Sequence, residues 1–181
     1  MKKIWLLLCL VPLFLVSCES AETEQMVDVP SDWQTIEGDG YSVKCPANWK
    51  LDTVGEEGVV FKLLSPADDS IKDNFAEHVR LTMTPNEPKK SLKELAYNVE
   101  DGLKTMLANF EVTENKLYKD EAGKFQVTRG SGGLSVFMVS VENRTRIIGD
   151  NAYSMMGVYE TLKSSAYQDV ILGIMQSVQI K

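Results

Sequence analysis

An α+β domain is what this sequence predicts, and three observations predict it. Short runs of alternating or continuous apolar residues, broken by Gly, Pro, Asn and Asp, read as strands on both sides of residue 91. A long apolar stripe behind a helix-start signal at Ser91 reads as one amphipathic helix. A second stripe from Tyr167 closes the chain as another helix. The order is hairpin, strands, long helix, several antiparallel strands, closing helix.

Ahead of this domain the chain opens with Met1-Lys2-Lys3, followed by thirteen uncharged residues from Ile4 to Val16. As a helix that run is about 20 Å long, short of the ~30 Å hydrocarbon core of a bilayer. A basic start, a short apolar run and small residues at its end describe a secretory signal rather than a membrane span. The ending Leu15-Val16-Ser17-Cys18 resembles the bacterial lipobox, in which cleavage leaves the cysteine first and acylated. The alternative is an ordinary signal peptide with an incidental cysteine. The resemblance implies lipidation at Cys18, and with it a protein anchored to a membrane of the bacterial cell envelope, outside the cytoplasm. Two or three acyl chains hold a protein far more firmly than one, at about 0.8 kcal/mol per buried CH₂.

The organisation read from this is a signal at 1–17, a lipidated cysteine with its tether at 18–30, and a single domain at 31–181. Glu19 to Pro30 carries Glu19, Glu22, Glu24 and Asp28, no basic residue and little apolar content, which predicts a flexible tether. Acidic residues directly after the cysteine also resemble surface-export signals of some bacteria. Loss of Lys2 and Lys3 with the signal leaves 17 basic against 26 acidic groups, a net charge of −9. An acidic domain with no basic run argues against nucleic acid or anionic lipid surfaces as partners. Of the three cysteines only Cys45 remains in the domain proper, so an internal disulfide is impossible there and the core must hold the fold.

Trp33–Ile36 and Tyr41–Cys45 flank Glu37-Gly-Asp-Gly40, a hairpin pattern that puts Tyr41, Val43 and Cys45 on one face. Cys45 is thus read as a small buried hydrophobe rather than a nucleophile. Pro46 ends the strand, and Trp49 packs beneath. Gly58–Leu64 is a nearly continuous apolar run, a strand covered on both sides. Residues 65–74 form a loop whose Asp68, Asp69 and Asp73 lack the spacing of a calcium loop. His78–Thr84 alternates, with Val79, Leu81 and Met83 on one side.

Ser91-x-x-Glu94 is a capping box, and Leu92, Leu95, Ala96, Val99, Leu103, Met106, Leu107 and Phe110 follow as one stripe. Strands are predicted at 111–118, 125–130, 134–142 and 152–159. Ala122-Gly123 and Gly130-Ser-Gly-Gly133 are read as turns, and Leu134–Val141 as a central strand. Residues 143–150, with Arg144 and Arg146, form a locally basic loop. Ser165-x-x-Gln168 is read as a second capping box before Tyr167, Val170, Ile171, Ile174 and Met175.

Catalytic constellations are not legible. His78 is the chain's one histidine, on the polar side of a strand; a zinc site would need carboxylates or Cys45 beside it, and none stands at ligand spacing. A Ser-His-Asp hydrolase would have to use His78, without a G-x-S-x-G elbow. Gly130–Gly133 is too short for a phosphate loop. The expectation is no enzyme, no metal and no cofactor. Asn143-Arg-Thr145 fits an N-glycosylation sequon, and Asp52-Thr-Val54 and Asp69-Ser-Ile71 resemble a short bacterial O-glycosylation motif.

The element order, together with YSVKCPANWK, GVVFKLLSP, a strand ending in MTP, the SLKEL helix, GGLSVFMVSV, AYSMMGVYE and a last helix ending SVQI, resembles the PsbP-like fold. The likeness covers about Trp33 to Lys181, with Cys45 where the pattern often has tyrosine. It implies a central antiparallel sheet with helices packed on its faces, in three layers. It also implies accessory work beside membrane-associated complexes: a lipid-anchored, non-enzymatic binding protein facing a protein partner. The alternative is a carrier of a small lipophilic ligand, held in a pocket between sheet and helix.

Overall fold

The computed structural model describes residues 20–52, 55–66 and 75–181. The signal with Cys18, residues 53–54, and the stretch bearing Asp68, Asp69 and Asp73 lie outside the described residues, and both O-glycosylation motifs fall there in whole or part.

The elements in chain order are β1 (Glu22–Thr23), β2 (Gln34–Gly38), β3 (Tyr41–Cys45), β4 (Lys50–Asp52), β5 (Val59–Leu64) and β6 (His78–Pro85). Then come α1 (Leu92–Met106), β7 (Ala108–Asp120), β8 (Gly123–Leu134), β9 (Phe137–Ile148) and β10 (Asn151–Glu160). A 3₁₀ turn (Thr161–Lys163), α2 (Ser164–Ser177) and β11 (Gln179–Ile180) finish the chain. Eight strands form one sheet in the order β1-β7-β8-β9-β10-β6-β5-β4, antiparallel except where β1 runs parallel to β7. The predicted hairpin forms, but in a sheet of its own, β11-β3-β2.

Three layers result. On one face of the large sheet, α1 packs Leu103 with Leu107, Phe110, Val139, Val141 and Val158. On the other, α2 and the small sheet bury Tyr41, Val43, Cys45 and Trp49 against Phe61, Leu63, Val79, Leu81, Ile171, Ile174 and Met175. Each fully buried large side chain contributes about 1.5–3 kcal/mol. Gly157 on β10 lets α2 approach: a Cβ there would stand 2.3 Å from Ile171 Cγ2.

The capping box at Ser91 is present, with Glu94 N–H donating to Ser91 Oγ and Ser91 N–H to Glu94 Oε2. Its stripe buries less than periodicity predicts. Ala96 and Leu103 are buried, Leu107 and Phe110 lie beyond the helix, and Met106 is exposed.

Four readings are corrected. Gly130-Ser-Gly-Gly133 is not a turn but the last part of β8; the reversal comes at Ser135-Val136, where Ser135 has φ 56°. The glycines are there because the chain leaving α1 lies directly on them: a Cβ at Gly132 would meet Leu107 Cβ at 3.0 Å and Ala108 O at 3.1 Å. Residues 143–148 are not a loop but the continuation of β9, the fourth strand of eight. Asn143 is fully buried there, donating to Ser154 Oγ at 2.6 Å, so the sequon is closed to a glycan in the folded chain. The second capping box does not form: α2 starts at Ser164, after a 3₁₀ turn, with Lys163 at its cap and no side-chain bond. Lastly, the acidic segment is no free tether over its described length. Glu22–Thr23 is a strand, and Val27 N–H donates to Gln176 Oε1 at 2.8 Å. Partners of this segment lie 96 (Tyr118 beside Glu22) to 149 (Gln176 beside Val27) residues on, beyond the view of local composition.

Candidate functional site

Alternation along β9 places Glu142, Arg144 and Arg146 on the α2 side of the sheet, and pairing aligns them with Arg129 and Val127 of β8 and Met155 and Tyr153 of β10. The helix covers only part of this face. Past its C-terminal end the sheet floors an open cleft of about 690 Å³. Leu81, Phe125, Tyr153 and Met155 line the bottom, Met175, Val178 and Ile180 one wall, and Thr23, Glu24 and Met26 the other. Lys119 to Ala122, at the β7–β8 turn, close one end. Two guanidinium groups lie over the Phe125 ring, Arg146 at 5.1 Å and Arg144 at 5.8 Å from its centroid. Arg146 is also paired with Asp120.

A charge cluster holds the Glu24 wall in place. Glu24 Oε1 accepts from Arg144 Nη2 at 2.8 Å and Arg129 Nη2 at 3.1 Å, while Oε2 accepts from Gln176 Nε2 at 3.3 Å. Arg129 also donates to Glu114 at 2.6 Å and Glu142 at 2.8 Å, and Arg144 to Glu142 at 3.0 Å. Three carboxylates thus share two guanidinium groups. Burial pushes the Glu24 carboxyl above its ordinary range, and Arg144 offsets this only in part. Burial also opposes ionisation of Glu114, but hydrogen bonds from Tyr118 and Arg129 outweigh it and hold that carboxyl below the usual range. The same bond, 2.5 Å long, raises the Tyr118 phenol to about 12.

The cleft brings charged and apolar side chains together, and among the described residues neither Cys45 nor His78 lines it. Cys45 is fully buried, and burial pushes its thiol up. His78 sits away from the cleft, its Nδ1 donating to the Ala76 carbonyl at 3.1 Å and its ring against Phe75. Cys18, the predicted lipidation residue, lies outside the described residues. Sequence reasoning noticed Arg144 and Arg146 but put them in a loop, and it missed Glu24 and Arg129. The i, i+2 spacing of Glu142, Arg144 and Arg146 was the available signal, since a strand brings such residues to one face.

No protein-family model matches the chain, and no curated protein matches it. Solved structures do match in shape. Cyanobacterial PsbP (CyanoP) from Synechocystis sp. superposes with a TM-score of 0.59 at 8% identity, over 84% of this chain and 95% of that one. LpqN of Mycobacterium tuberculosis, involved in cell envelope biogenesis, gives 0.60 at 13% identity over 82% and 90%. The Ran-binding protein Mog1p of Saccharomyces cerevisiae gives 0.57 at 9% over 82% and 95%. At such identities the likeness speaks for fold alone. In fold, this chain is PsbP-like.

Proposed function

We propose that this is a lipid-anchored, non-enzymatic accessory protein of the bacterial cell envelope, whose PsbP-like domain uses the cleft to bind a membrane-associated protein. The observation that carries the reading is the cleft, about 690 Å³ of open space on the α2 side of the large sheet. Met26, Met155 and Met175 line it, and flexible thioether side chains suit a surface that adapts to an apolar partner. The structural neighbours support such work: one is described as involved in cell envelope biogenesis and another as Ran-binding. The cleft's apolar floor also favours a second reading, a carrier of a small lipophilic ligand.

Capture of the full-length protein from gently solubilised membranes, followed by mass spectrometry, separates the two. Ile148 is the rim residue to change, because it is 38% exposed and Ile148→Glu leaves the core untouched. A stoichiometric protein bound by the wild type and lost with both Ile148→Glu and Cys18→Ala is the expected result. Lipid or a small molecule in its place selects the carrier reading. A partner that stays bound to Ile148→Glu removes the cleft from the function.

A further inference from the structure

We propose that the end of the domain remote from the cleft is its bilayer-contacting surface, with Val136, Met138 and Leu162 seated in the lipid interface. The proposal rests on lipidation at Cys18.

Chain direction is the first argument. Because β1 runs parallel to β7, with Glu22 beside Tyr118 and Thr23 beside Lys119, the chain traced back from Glu22 heads toward the Ala108 end of β7. It heads away from the β7–β8 turn that closes the cleft. Reach is the second. Cys18 stands four positions before Glu22, at most about 14 Å of chain. An undocked tether of about 12 residues has an r.m.s. reach of roughly 20 Å and a far longer maximum. The docked domain is therefore held against the bilayer and cannot roam above it.

The two ends of the sheet differ in what they offer a membrane. At the β7–β8 turn stand Lys119, Asp120, Glu121 and Lys124, a charged tip unsuited to lipid. At the other end, roughly 40 Å away along β8, Val136 is 86% exposed, Leu162 87% and Met138 53%. Single exposed apolar residues need no explanation, but a group at one end does. They are brought together by the fold: Val136 and Met138 flank the start of β9, and a hydrogen bond of 3.0 Å between Ser140 and Thr161 places the 3₁₀ turn with Leu162 beside them. The neighbouring charge on Lys163 is met by Glu160 at 3.4 Å and Glu77 at 3.7 Å. A bilayer within reach of Cys18 and touching Val136 runs obliquely along the outer edge of β7, and it leaves the cleft turned toward the aqueous side.

The test uses the full lipidated protein in phosphatidylcholine liposomes containing nitroxide-labelled lipids. Bimane is placed at Val136→Cys, Leu162→Cys or, at the opposite end, Ala122→Cys; Cys45 is fully buried and does not label. About twofold quenching at 136 and 162, and none at 122, is expected, unchanged by salt because the contact is apolar. Quenching at 122 instead, or at none of the three in protein that floats with the liposomes, overturns the proposal. Intact mass lacking the acyl chains, together with failure to float, overturns the anchoring itself.

Discussion

Glu24→Ala tests whether the N-terminal segment around β1 is held by the charge cluster. The side chain accepts three hydrogen bonds, at 2.8, 3.1 and 3.3 Å, and is 9% exposed. Breaking an isolated buried ion pair costs about 3–5 kcal/mol because a lone charge stays behind. Here none does. Without Glu24, Arg129 keeps Glu114 and Glu142, Arg144 keeps Glu142, and two carboxylates face two guanidinium groups. The burial that opposes Glu24 ionisation is relieved as well. The loss should therefore be near that of one charge-assisted hydrogen bond, about 1.5 kcal/mol. Expressed locally, that is about a tenfold rise in opening of the segment. Hydrogen exchange at residues 22–27 reads it directly, with β9 amides as the internal control. Unchanged exchange at 22–27, or equal acceleration across β9, would refute the reasoning. Glu24→Gln gives the pH dependence. A carboxyl whose docked pKa is raised binds its proton more readily docked than free. Docking should thus strengthen as pH falls from the raised value toward the ordinary one, and in the Gln variant it should not change.

Other perturbations address the core and the cluster. Gly157→Ala drives a methyl to within 2.3 Å of Ile171 and 3.0 Å of Met175, so overpacking should cost about 1–3 kcal/mol, and a thermal melt should show a drop of several degrees. The Cys45 thiol should resist Ellman's reagent at pH 8 in the native protein and react once urea unfolds it, since it is fully buried and its thiolate disfavoured. Tyr118 should be the last tyrosine to ionise in a spectrophotometric titration, near pH 12, and Tyr118→Phe should abolish that step. Its contribution to stability is present below the ordinary phenol pKa and is lost as pH rises toward 12.

Local signals made much of the fold legible. The hairpin at Tyr41, the alternation at His78 and the capping box at Ser91 each rest on residues a few positions apart, and each appears in the structure. Failures came where distant residues decide. Gly130–Gly133 has turn composition, but its glycines answer to Leu107 and Phe110 lying across them. Ser165 and Gln168 have capping spacing, yet the 3₁₀ turn before them starts the helix two residues early. Of the site, Arg144 and Arg146 were visible, but Glu24, the partner of Arg144, lies 120 residues from it in a segment whose composition resembles a linker.

The two-residue strand β1 has a consequence for neighbouring copies. β7 is long and lies at the margin of its sheet, and unpaired backbone there is a template for intermolecular pairing. Register breaks between Ala108 and Glu111 and between Val112 and Glu114 spoil its first half as a template. The second half, at Tyr118 and Lys119, is regular and is occupied by Glu22 and Thr23. The N-terminal segment thus also guards this edge against polymerisation. A chain cut to begin at residue 31 loses that guard and should self-associate.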